Sequence, residues 1–153
     1  MASTHPSNPV PLIINGRDVT MDMTFVVRNP TTGKEIWTSS SVSEEDALDA
    51  VSAAEKAFPS WSKTKQSYRR DLFLRAADIM TNRKDELAIY MREEIGATDQ
   101  YIDFIFGLAI EQLRDTAGRI SGIHGVAPEL IDEGTQGIIY KQPYGVILGI
   151  GPW

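Results

Sequence analysis

No cysteine occurs among the 153 residues of the chain. That absence removes disulfide scaffolds, thiolate metal sites and a cysteine nucleophile from what these residues can do. It also fits a reducing compartment. Long apolar runs are missing as well: no stretch approaches the roughly 18 residues that mark a membrane-spanning helix. Nor is there a basic tract. The chain has 15 Lys and Arg against 21 Asp and Glu, a net charge of -6. Its densest basic stretch, Lys63 to Arg75, is broken by apolar residues and an acid. Counterion-driven binding to nucleic acid and attraction to an anionic membrane are therefore both disfavoured. Residues 1–10 lack the basic start and apolar centre of a secretory signal. With Pro6 and Pro9 they read as a flexible tail of a cytoplasmic protein, which leaves residues 11–153 as the folded part.

What is present is the composition of a soluble globular chain, 42% hydrophobic and 24% charged. Leu12-Ile13-Ile14 followed by Asn15-Gly16 predicts a hairpin returning through Arg17 to Val19, because both turn residues accept positive φ. Phe25-Val26-Val27, the turn Asn29-Pro30-Thr31-Thr32-Gly33, and Glu35-Ile36-Trp37-Thr38 predict a second antiparallel ribbon. Ser43 and Asp46 form a capping-box pattern. Ala47, Leu48, Val51, Ala54, Ala57 and Phe58 then recur at helical spacing up to Pro59, expected to mark the helix end.

A second helix is expected from near Ser67, with Leu72, Phe73, Ala76, Ile79 and Met80 inward. Thr81 and Asn82 offer caps for a third, in which Leu87, Ala88, Met91 and Ile95 face inward and Gly96 is the stop. Thr98 to Ile120 reads as a longer fourth helix, with Ile102, Ile105, Phe106, Ala109, Leu113 and Ala117 on one side. Ile138-Ile139-Tyr140 predicts a strand. Val146-Ile147-Leu148-Gly149-Ile150 predicts a fully buried, parallel one. Such a strand needs neighbours on both sides and helices on both faces, so the pattern is that of an α/β chain that begins a doubly wound sheet and runs out.

The motifs resemble one family. Ile14-Asn15-Gly16 with Asn29-Pro30-Thr31-Thr32-Gly33-Lys34-Glu35-Ile36 is similar to the opening ribbon of the aldehyde dehydrogenases. Ala53-Ala54-Glu55-Lys56-Ala57-Phe58-Pro59-Ser60-Trp61 resembles the alanine-rich helix that follows there. Arg69 or Arg70 with Leu74-Arg75-Ala76-Ala77-Asp78 resembles the next helix, and Glu93-Glu94-Ile95-Gly96 sits where the family carries Glu-x-Gly. Pro143-Tyr144-Gly145-Val146, running on to Gly151-Pro152-Trp153, matches the segment that ends in Pro-Trp-Asn. The resemblance runs in order from about Leu12 to Trp153, and its detail is similar to the branch acting on aromatic aldehydes such as vanillin or salicylaldehyde.

The resemblance implies the N-terminal part of the aldehyde dehydrogenase fold: small β ribbons, a helical bundle and the first strand of a Rossmann-like sheet. It implies oxidation of an aldehyde to an acid with NAD or NADP, through thiolate attack, hydride departure and hydrolysis of a thioester. An Asn side-chain amide would help stabilise the tetrahedral species. In the family that Asn directly follows Pro-Trp, and the nucleophilic Cys and the general-base Glu lie further on. This chain by itself is therefore expected to be inactive. By the same resemblance Ile150, Gly151, Pro152 and Trp153 map to backbone lying against the cofactor. The alternative is that Ile150 is a core strand residue and Trp153 a packing aromatic. Phe104 and Leu108 map to a helix bordering the substrate tunnel, the alternative being an ordinary apolar helix face. A homo-oligomer, dimer or tetramer, is implied for the full-length protein.

Other candidates read as structural. His124 has no second His or Cys nearby for a metal site, and so reads as a loop residue. Glu93 and Glu94 are adjacent on a helix, do not face each other, and read as a solvated edge. Gly145, Gly149 and Gly151 have the wrong spacing for a dinucleotide fingerprint. Two functions stand: part of an NAD(P)-dependent aldehyde dehydrogenase, or a short non-catalytic product that packs with a full-length partner or has no stable role.

Overall fold

The computed structural model describes residues 9–151. Two short hairpins come first. β1 (Leu12–Ile14) pairs antiparallel with β2 (Arg17–Val19). Their turn holds Asn15 at φ 52 and Gly16 at φ 71, the two left-handed residues a two-residue hairpin turn requires. β3 (Thr24–Arg28) pairs antiparallel with β4 (Glu35–Ser40), with an irregularity between Val27 and Arg28. The Asn29 side chain builds that turn: its Oδ1 accepts from the amides of Thr31 and Thr32, each at 2.9 Å. Val10, expected in the tail, is held by a parallel bridge to Ser39, donating to Thr38 O and accepting from Ser40 N.

Four helices follow. α1 (Glu44–Trp61) opens on the expected capping box, Ser43 Oγ accepting from the Asp46 amide and Asp46 accepting from the Ser43 amide. Pro59 does not end it. The helix continues to Trp61, and the loosened last turn is compensated by hydroxyls: Ser60 Oγ donates to Ala57 O and Ser62 Oγ to Pro59 O. α2 (Gln66–Asn82) starts one residue before the expected Ser67. Thr81 belongs to α2 and bonds back to Ala77 O, so it does not cap α3 (Lys84–Ile95). Gly96, left-handed at φ 66, closes α3, and the Thr98 side chain caps α4 (Asp99–Ile120).

The most extensive helix packing is α2 against α4. Ala77 is fully buried in α2, where an alanine lets two helix backbones approach. The expected inward residues Ala76 and Ile79 are exposed instead. The inward stripe is Phe73, Ala77 and Met80, whose i, i+4, i+7 spacing stays on one face and leaves 76 and 79 on its flank. Ile102 and Phe106 of α4 with Ala88 of α3 form the packed centre, bordered by Met80, Leu87, Met91 and Ala97. The ribbon joins this body through Trp37, edge-on to Tyr90 at 5.8 Å, and through Asn29 Nδ2, which donates to Glu93 at 3.0 Å. Glu93 is thus an anchor rather than a solvated edge.

Three further expectations need correction. No residue of α1 is buried, although its apolar stripe is regular: Leu48 and Val51 stand exposed because no described element packs over them. Residues 146–150 form no strand, and the 138–140 stretch contributes a single bridge, Ile139 to Val126. A strand exists only through its partner's hydrogen bonds, and the two described sheets are two-stranded hairpins that include neither segment. The chain accordingly exposes 12220 Å², whereas a compact monomer of this mass exposes roughly 7,700 Å².

Candidate functional site

α4 carries two faces. Ile102, Phe106, Ala117 and Ile120 are buried, whereas Phe104 and Leu108 turn outward, 63% and 43% exposed. They lie four residues apart and so share one side of the helix. Tyr101, three residues before Phe104, extends the same strip and was not singled out in the sequence. Its signal was the same spacing read one turn earlier. Tyr101 and Phe104 line a shallow cleft of about 280 Å³ with Thr98 and Gln100.

Local chemistry orients this strip. The Thr98 cap fixes the first turn, Oγ1 accepting from the Tyr101 amide at 3.3 Å. Lys84 pairs with Asp103 at 2.6 Å and Arg92 with Asp99 at 2.7 Å, both bridging α3 to α4. These pairs are exposed, worth about 0–1 kcal/mol each, so they set rotation about the helix axis more than stability. The strip is largely apolar, with the Tyr101 phenol its one polar group and no carboxylate, imidazole or amine of its own. Groups whose titration departs from the ordinary have local surface causes. The Ser43 hydroxyl, then its amide, holds Asp46 low; Arg83 holds Glu86 low; Asp115 raises Arg119. They mark a cap and surface pairs, not an acid–base site.

The expected cofactor segment is placed only in part. Ile150 is 82% exposed, and Gly151 is exposed beside it on a stretch without regular structure. Pro152 and Trp153 lie outside the described residues. A dinucleotide is held in a buried cleft, so the described residues do not by themselves fit that group, and no step of hydride transfer is assigned to them. His124 is exposed on the loop after α4. No cluster of three or more metal-ligating side chains occurs among the described residues, and no described helix is long and apolar enough to cross a membrane. Of the two arginines the sequence left open, Arg69 is the structural one: it grips the end of α1, whereas Arg70 pairs with its neighbour Asp71.

Comparison with known proteins gives a consistent result. Residues 18–153 match the model of the aldehyde dehydrogenase family. A vanillin dehydrogenase of Pseudomonas sp. (strain HR199 / DSM 7063) is 38% identical over 147 residues, covering 94% of this chain and 30% of that protein. Among solved structures, the salicylaldehyde dehydrogenase of Pseudomonas putida G7 complexed with salicylaldehyde superimposes with a TM-score of 0.82 at 26% identity, over 89% of this chain and 28% of that one. PnpE in complex with nicotinamide adenine dinucleotide does so with a TM-score of 0.76 at 28% identity, over 89% and 28%. The chain thus spans about 30% of the length of the curated relatives it matches.

Proposed function

The chain belongs to the aldehyde dehydrogenase family, and from that premise we propose that it is the N-terminal portion of an enzyme oxidising an aromatic aldehyde to its carboxylic acid. The observation that carries the reading is the vanillin dehydrogenase match, which runs along 94% of this chain but 30% of its relative. The acceptor is a nicotinamide dinucleotide, and NAD is favoured over NADP because NAD is what the similar PnpE structure contains. Residues 11–153 are part of the dinucleotide-binding unit, and Val10 is held to it through Ser39. Ile150, Gly151, Pro152 and Trp153 become the edge of the cofactor site once further strands cover residues 146–150. The Tyr101–Phe104–Leu108 strip is one apolar wall of the substrate tunnel. The whole enzyme is a cytoplasmic homo-oligomer, and these 153 residues, without a cysteine, do not turn over on their own.

The test is the protein taken from its native source: its intact mass, and the reduction of NAD that it supports with vanillin or salicylaldehyde. A mass well above 17.0 kDa with aldehyde-dependent reduction is the expected result. A native mass of 17.0 kDa and no turnover would replace it with the second reading, a non-catalytic product that packs with a full-length partner. The exposed apolar surface of α1 favours that second reading over a free monomer.

A further inference from the structure

We propose that a cleft between the α1–α2 junction and residues 123–143 is a binding site for a small oxyanion, a phosphate or carboxylate group. The cleft holds about 440 Å³, room for a small solute rather than a macromolecular surface. Arg69, His124 and Lys141 line it, with Tyr140 and Gln66, and no Asp or Glu is part of its wall. In a chain of net charge -6 that local excess of positive charge stands out.

Arg69 is the preorganised element. Its Nε donates to Thr64 Oγ1 at 2.7 Å, and its Nη2 to Trp61 O at 2.9 Å and Ser62 O at 3.1 Å. The guanidinium also lies 5.3 Å from the centre of the Trp61 ring. Every one of these partners is uncharged, so the positive charge is fixed in place but not neutralised. The arginines at 28, 70, 83, 92, 114 and 119 each face a carboxylate. Nη1 of Arg69 keeps its hydrogens uncommitted among the described residues, in the planar geometry that suits an oxyanion.

The opposite wall is set by the backbone. Val126 and Ile139 exchange both amide–carbonyl bonds, at 3.1 and 2.8 Å. This crossing requires glycine at 125, since a Cβ there would collide with the Ile139 carbonyl oxygen. Gln66 Nε2 donates to Ile123 O and ties this segment to α2. Lys141, two residues beyond the crossing, lines the same cleft as Arg69 and has no carboxylate partner among the described residues.

The experiment titrates inorganic phosphate into the isotope-labelled purified chain, at ionic strength held constant with chloride, and follows amide shifts by NMR. The amides of His124, Gly125 and Lys141 are expected to move together and saturate with one dissociation constant on the order of 1 mM. Lys141→Glu weakens binding about tenfold or more, and Lys141→Gln and His124→Gln by several-fold, with the α4 amides unmoved as proof of an intact fold. A parallel acetate titration separates the sources: saturation by acetate too assigns a general carboxylate-and-phosphate site, and phosphate alone assigns a phosphate site. Shifts that fail to saturate, equal shifts with chloride, or full affinity in Lys141→Glu with intact α4 amides overturn the proposal.

Discussion

Replacing Ile102 by alanine tests where the stability of this chain resides. Ile102 is 1% exposed, the largest fully buried side chain among the described residues, and it packs in the cluster that joins α2, α3 and α4. Three carbons are lost, about 0.8 kcal/mol each in transfer terms, or roughly 2.4 kcal/mol. The cavity left between α3 and α4 adds to this, since Phe106 and Ala88 are themselves pinned, for a total of about 3–4 kcal/mol. Natural domains are stable by only about 5–15 kcal/mol, and one with so few buried side chains lies near the lower end. The variant should therefore lose a large part of its stability, with a midpoint lower by about 10 °C at roughly 3 °C per kcal/mol. Urea unfolding followed by far-ultraviolet circular dichroism measures it, with Ile13→Ala as the control. Ile13 is 77% exposed on β1, and its replacement should cost under about 0.5 kcal/mol. A loss below about 1 kcal/mol for Ile102→Ala, or an equal loss in the control, refutes the assignment of the core to α2, α3 and α4.

Three further outcomes are expected. Gly96→Ala should cost about 1–2 kcal/mol, because Gly96 is left-handed and an added Cβ would sit 2.8 Å from Thr31 Oγ1; thermal unfolding reads it. The α1 cap should fail in acid. Asp46 titrates below the ordinary carboxylate range in the folded chain because Ser43 donates to it, so its contribution is complete above about pH 4–5 and vanishes as pH falls through the lowered value. Helix content followed against pH should show that loss in the wild type, and Asp46→Asn should remove the Asp46-dependent step; an unchanged titration curve in Asp46→Asn refutes it. In the full-length enzyme proposed above, Phe104→Ala should raise KM for an aromatic aldehyde while shifting stability by under about 0.5 kcal/mol; unchanged KM across several aldehydes sinks the proposed tunnel role.

Local signals were legible wherever the information is local. Asn15-Gly16 dictates its own turn, Ser43 and Asp46 their own cap, and Gly96 its own stop, each within a few residues. The hairpins and four helices therefore lie where the sequence placed them, to within a residue or two. Burial was less legible because it belongs to pairs of elements. Ala76 and Ala77 are neighbours of one type, and only the arrival of α4 decides that 77 is covered and 76 is not. The apolar runs at Leu48–Phe58 and 146–150 show the same limit from the other side. Their patterning specifies a buried face, but the partner that would bury it is not among the described residues. For the candidate site, Phe104 and Leu108 were visible as a helical pair. Arg69 was distinguished from Arg70 only once the carbonyls of Trp61 and Ser62 were placed around it.

The α2–α4 pairing bears on how the protein is made. Both helices are complete in the sequence by Ile120, thirty residues before Ile150. A ribosome adds about 5–20 residues per second, and N-terminal units fold first, so that interval lasts roughly 1.5–6 s. Helix formation and collapse take microseconds. The helical pair can therefore bury Ala77, Ile102 and Phe106 long before the apolar stretch at 146–150 leaves the tunnel to compete for them. Refolding from denaturant removes that head start, because every apolar segment is released at once. Vectorial synthesis should give a higher yield of native helical body than dilution of the same chain from urea.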